Sequence, residues 1–110
     1  MDQKIDKSGW RVALDRLSKS LSGKRAEIEI AALSLGDQIA AEWLPVIGIT
    51  YDPKDDIVEV ALEGLDHIIS RPRELHFQLE GGLVSALEII DADGIRHIVK
   101  FREPLMLPAP

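Results

Sequence analysis

The sequence predicts an α+β fold: an N-terminal amphipathic helix packed on a strongly bent antiparallel sheet or small barrel of about six strands. Three observations carry this reading. Apolar residues recur at helical spacing only between Trp10 and Leu21; from Glu27 onward they alternate with polar ones; and Gly, Pro and Asp interrupt the alternation at hairpin intervals. The connections are too short to hold crossover helices, which excludes a parallel doubly wound sheet and its ligand crevice. Strands this numerous in so short a chain curl into a bent sheet or small barrel.

The helix is expected over about residues 7–22. Trp10, Ala13, Leu14, Leu17 and Leu21 form its apolar stripe, while Arg11, Asp15, Arg16, Ser18 and Lys19 take the opposite side. Asp6 or Ser8 suits the N-cap; with Asp6 there, Ile5 and Trp10 stand at the spacing of a hydrophobic staple. Gly23 suits the left-handed position after the last turn, with Lys19 and Lys24 where the helix dipole favours cations.

Antiparallel strands then fill about residues 25–103. Glu27-Ile28-Glu29-Ile30 alternates, sending Ile28 and Ile30 to one face. Leu35-Gly36-Asp37 supplies a turn, and Ile39, Ala41 and Trp43 alternate up to Pro45, which implies a bend, bulge or edge. Val46–Tyr51 and Ile57–Leu62 flank the turn-forming Asp52-Pro53-Lys54-Asp55-Asp56 and read as a hairpin. His67-Ile68-Ile69 and the alternating Leu75, Phe77 and Leu79 read as two strand pieces split at Arg71-Pro72-Arg73, with His76, Gln78 and Glu80 facing water. Gly81-Gly82 and Asp91-Ala92-Asp93-Gly94 turn into the last two strands, Gly94 fitting a positive-φ position. Pro104 is expected to end the sheet, leaving an apolar tail over 104–110.

A chain of 110 residues with 45% hydrophobic and 29% charged residues has the composition of one globular domain, spanning 1–110, rather than of a disordered or fibrous chain. The absence of cysteine excludes disulfides, zinc–cysteine sites, iron–sulfur clusters and a thiol nucleophile. No signal-peptide core or membrane span is legible, so a cytoplasmic, membrane-free protein is expected. Residues 1–25 hold seven bases against three acids, and the remainder six against sixteen. A basic arm can bind nucleic acid, but the acidic body repels phosphate, and a solvated helix face explains the arm as well.

Residues able to carry chemistry are few. His67, His76 and His97 are the only imidazoles, and none stands at a spacing that puts two rings on one face of a single element; convergence of His67 and His97 across strands, near Asp66, remains open. Asp91-x-Asp93-Gly94 imitates the start of a calcium loop without its later ligands, and a tight hairpin demands the same residues. Ser34, Ser70 and Ser85 lack an adjacent base, and Gly81-Gly82 opens no helix and so cradles no phosphate. Arg71, Arg73 and Arg96, with Lys100, are the candidates for a basic patch, though aromatics at 5% supply few rings for base stacking. No catalytic residue, metal ligand or cofactor follows from these patterns.

The run Leu44–Asp56, Arg71-Pro72-Arg73-Glu74 and Ile90-Asp91-Ala92-Asp93-Gly94 resemble a bacterial family that is a domain of unknown function. The likeness covers nearly the whole chain, is most specific from Leu44 to Asp56, and extends to Ile5 and Trp10 near the start. Asp6 stands where that family is expected to have Pro, a departure that bears on the N-cap. The resemblance implies a stand-alone domain and carries no activity, cofactor or catalytic residue.

The expected function is therefore association: a small non-enzymatic domain that binds a protein partner or a second copy of itself. His67, Arg71, Arg73, Arg96, His97, Leu105, Met106 and Leu107 are the candidate surface or partner residues, the last three because an apolar terminus needs something to cover, either its own core or a symmetric neighbour. Nucleic-acid binding by a helix-plus-bent-sheet domain resembling Sm-like barrels in element order is the alternative, and an enzyme using His67 or His97 with a carboxylate is the third reading.

Overall fold

A computed structural model of the chain describes residues 1–21, 23–32 and 36–105. Its strands are β1 (Asp2–Ile5), β2 (Arg25–Ala32), β3 (Gly36–Asp52), β4 (Ile57–Leu62), β5 (Leu65–Ser70), β6 (Pro72–Glu80), β7 (Leu83–Asp91) and β8 (Arg96–Leu105), with helix α1 (Trp10–Ser18) between β1 and β2. They form an eight-stranded antiparallel sheet in the order β1-β6-β7-β8-β2-β3-β4-β5.

The start of the helix follows from its capping chemistry. Asp6 accepts from the Ser8 amide and hydroxyl and caps a 3-10 turn, Lys7–Gly9, that leads into α1. Its φ of −63° is one that proline also takes, so Asp6 fits the backbone of the expected Pro and adds a carboxylate cap. Trp10 Nε1 donates to the Ile5 carbonyl at 2.8 Å, which ties the helix start to β1. Trp10, Leu14 and Leu17 are buried, as the stripe predicts.

The helix stops at Ser18, earlier than the expected end near residue 22, which itself lies outside the described residues. Beyond Arg16 the amides of Lys19, Ser20 and Leu21 reach back only three residues, to the carbonyls of Arg16, Leu17 and Ser18. The Ser18 hydroxyl donates to the Ile49 carbonyl at 2.8 Å and accepts from its amide, so the last turn is held to β3. Leu21 is nevertheless buried, and Gly23 has the positive φ its sequence context predicts.

The sheet is open and has eight strands, which corrects the expected count of about six and decides for the bent sheet over the small barrel. Two strands were not legible as such. β1 pairs with β6, Asp2 opposite Gln78 and Ile5 opposite Leu75, partners seventy or more residues away whose choice no local pattern encodes. The segments either side of Pro45 form one strand: β3 has 17 residues, about 56 Å if straight at ~3.3 Å per residue, yet the longest extent of the molecule is 39 Å. β3 must bend, and it does so where Trp43 has φ +51° and the register slips between Val46 and Gly48. Its first half pairs with β2 and its second with β4.

The sheet is open between its terminal strands, β5 and β1, and the consecutive strands β5 and β6 do not pair, for a geometric reason. They are joined by Arg71 alone, at φ +51°, and one residue cannot reverse the chain into a hairpin. β5 pairs with β4 and β6 with β1 and β7, which leaves β5 and β1 as the terminal strands. Pro104 lies inside β8 rather than after it, because the register jumps from Ala86–Lys100 to Val84–Leu105 and the intervening residues bulge out of the ladder. A hydrophobic cluster gathers α1 and inward residues of β2 to β8, among them Ile28, Ile49, Val60, Ile69, Leu75, Leu87 and Val99.

Candidate functional site

The sheet brings His67 and His97 together. On β8 the alternation turns His97, Val99 and Phe101 inward, and on β5 it turns Leu65, His67 and Ile69 the same way. His67 Nε2 lies 2.9 Å from His97 Nδ1, with the rings tilted at 49°. The carboxylate that joins them is Asp91, at the end of β7, and not Asp66, which is exposed. His97 Nε2 is 3.0 Å from Asp91 Oδ2, while Asp91 Oδ1 accepts from the amides of Asp93 and Ile95 at 2.9 and 3.1 Å. Both carboxylate oxygens are thus engaged by the hairpin and the imidazole, and Gly94, at φ +78°, lets the turn close.

The electrostatics follow from this order. Burial pushes the Asp91 carboxyl up, but the His97 contact and the Ile95 and Asp93 amides outweigh it and leave it below the usual carboxylate range. An ionised Asp91 requires a proton on His97 Nε2, so in the neutral ring Nδ1 carries the lone pair and accepts from His67 Nε2–H. Burial, and then the neighbouring His97, lower the His67 pKa below its ordinary value. The arrangement can hold and pass one proton along Asp91, His97 and His67. Among the described residues no group of three or more His, Asp or Glu side chains could hold a metal ion.

The other candidates do not converge. Arg71 Nη2 is 3.5 Å from Asp93, Arg96 binds Glu88 at 2.8 Å, and Lys100 binds Glu29 at 3.0 Å, so three cations of the expected basic patch are paired with acids on the surface. Arg73 is exposed in the bulge of β6. Leu105 is buried in the chain's own core, where it opposes Val84; Met106 and Leu107 lie outside the described residues. His76 is not turned to open water as expected: β1 partly covers it, and its ring lies between Asp2, at 3.1 Å, and Glu74, at 3.0 Å.

A second polar cluster was not legible in the sequence. Asp56, at φ +53°, accepts from the Tyr51 hydroxyl at 2.8 Å, pairs with Lys7 at 3.1 Å, and gives its carbonyl to the Arg71 amide. Lys7 also donates to the Pro72 carbonyl and sits over the Trp10 ring. The Tyr51 and Lys7 contacts hold Asp56 below the usual carboxylate range. Burial, with Asp56 adding to it, pushes the Tyr51 phenol up to about 12. This cluster joins the helix start, the β3–β4 hairpin and the β5–β6 kink.

Surface clefts include one of about 270 Å³ beside Lys24, Arg25 and Arg102, one of about 160 Å³ between Ile5, Ala13 and Phe77, and one of about 240 Å³ by Asp37 and Arg96. Neither His67, His97 nor Asp91 lines any of them.

Fold and site together define an α+β domain, mostly antiparallel sheet, with an Asp–His–His chain in which Asp91 and His97 are buried and His67 is half-buried. The chain belongs to a family of unknown function (DUF5335), whose model matches residues 1–110. It is 35% identical over 105 residues to an uncharacterized protein of the bacterium Aquifex aeolicus (strain VF5), a match covering 94% of this chain and 95% of that protein. No solved structure matches. Among the described residues no helix is long and apolar enough to cross a membrane.

Proposed function

We propose that this chain acts by association rather than by catalysis, forming a homodimer through β5 and the outer face of the β3–β5 half of the sheet. The observation that supports this is the character of that margin: β5 is a terminal strand paired only with β4, and it carries an exposed isoleucine, Ile68, at 44% exposure. Ile47, in the β3 bulge, is 70% exposed. An edge strand with one side unpaired and an exposed apolar side chain is the geometry that a second strand extends. β1, the other terminal strand, has four residues and carries Asp2 and Lys4, a short and charged edge of the kind that resists pairing.

Sedimentation over a concentration range to tens of micromolar tests the reading. A dimer that Ile68→Lys converts to monomer supports it; a monomer at every concentration overturns it. The tail, the other contact considered, keeps only residues beyond Leu105 for such a role, since Leu105 is in the core. An enzyme is the second reading, and the Asp91–His97–His67 chain is the feature in its favour; that His67 lines none of those three clefts weighs against it.

A further inference from the structure

His67 and His97 come from strands that share no ladder. β5 ends the sheet order, and β2, β3 and β4 stand between it and β8, so the contact between the rings ties the terminal strand to a strand it does not pair with. We propose that this pair is an acid-sensitive latch: it holds β5 to β8 while the two rings share one proton between them, and it frees β5 when both rings are protonated.

The proton count decides the behaviour. With both rings neutral, Asp91 accepts from His97 Nε2–H and His97 Nδ1 accepts from His67 Nε2–H, so every facing atom is satisfied. One added proton is accommodated. The pair then holds a single N–H between its facing nitrogens and another toward Asp91, whose carboxylate balances the added charge. A second proton places N–H against N–H at 2.9 Å, with two positive charges facing one carboxylate, and the rings must part. The described residues directly opposite them on the neighbouring ladders carry no charge. The residues opposite His97 are Ile89 on β7 and Ile30 on β2, and the residue opposite His67 is Val60 on β4. Asp66 and Arg96 lie on the opposite face of their strands, and Arg96 is held by Glu88.

Burial of His67 beside His97 supports the same direction. Its folded-state pKa is depressed, so the unfolded chain takes the proton more readily, and stability is complete above the ordinary histidine pKa and falls as the pH drops below it. The latch follows from the ring geometry and does not depend on the association proposed above.

Amide exchange of residues 65–70, corrected for the intrinsic pH dependence and compared between pH 7.5 and 5, tests it. Protection in β5 is expected to fall at least tenfold while β7 and β8 stay protected, and His67→Leu, which cannot be protonated, is expected to abolish the difference. Asp91→Asn, which removes the negative charge that favours the protonated rings, should move the release to lower pH, and it serves as the second variant should His67→Leu not fold. Unchanged wild-type protection, an equal loss in His67→Leu, or a loss centred on β1, where His76 lies, would each overturn the proposal.

Discussion

The Tyr51 hydroxyl donates to the Asp56 carboxylate across the β3–β4 hairpin, and the same carboxylate reaches Lys7 beside the helix start. One surface loop thereby becomes the meeting point of three parts of the chain. Because Asp56 keeps Lys7 when the phenol is removed, Tyr51→Phe should cost about 1 kcal/mol in a denaturant titration.

The same pair sets an alkaline limb. The phenol is pushed up to about 12, above its unfolded value of 10, so its contribution to stability is present below pH 10 and is lost as the pH rises toward 12. Tyr51 is the single tyrosine, which makes the absorbance of tyrosinate a direct readout. A folded-state midpoint near 10 would contradict the buried, hydrogen-bonded phenol.

Trp10 is 1% exposed, packs edge-on against Tyr51 with ring centroids 5.2 Å apart, and donates to Ile5. Trp10→Ala should destabilise by about 3–5 kcal/mol, the usual cost of emptying an aromatic site in a core. A melting midpoint equal to that of the native chain would remove Trp10 from the core.

At Gly94 the obstacle to a side chain is the backbone, since an added Cβ meets nothing within 4 Å but φ is +78°. Gly94→Val should cost about 1–3 kcal/mol, and Gly94→Asn less, because Asn tolerates the left-handed region. Equal stabilities of the two variants would point away from φ as the cause.

Folding should need no metal. Treatment with EDTA is expected to leave the calorimetric melting temperature unchanged, and a fall of several degrees would place a metal in the fold.

What the sequence determined by itself is local. The 3.6 period from Trp10, the Asp6 cap, the hairpin around Asp52–Asp56 and the positive φ at Gly23 and Gly94 depend on residues within a few positions of one another, and each is found in the structure. The inward turn of Ile28, Val99 and Leu75 follows from alternation in the same way. Alternation states which face a side chain takes and is silent on which strand lies beside it. The pairing of β1 with β6, the passage of β3 through Pro45 as one bent strand, the open margin at β5 and the place of Pro104 inside β8 all depend on partners far along the chain. So does the site. Nothing near His67 in sequence announces His97, and Asp66 was the nearer carboxylate, yet the sheet turns Asp66 outward and puts Asp91 behind His97. Those contacts exist because burying one apolar face forces the bent strands around a common core, and it is that burial, rather than any local preference, that sets two histidines thirty residues apart against each other.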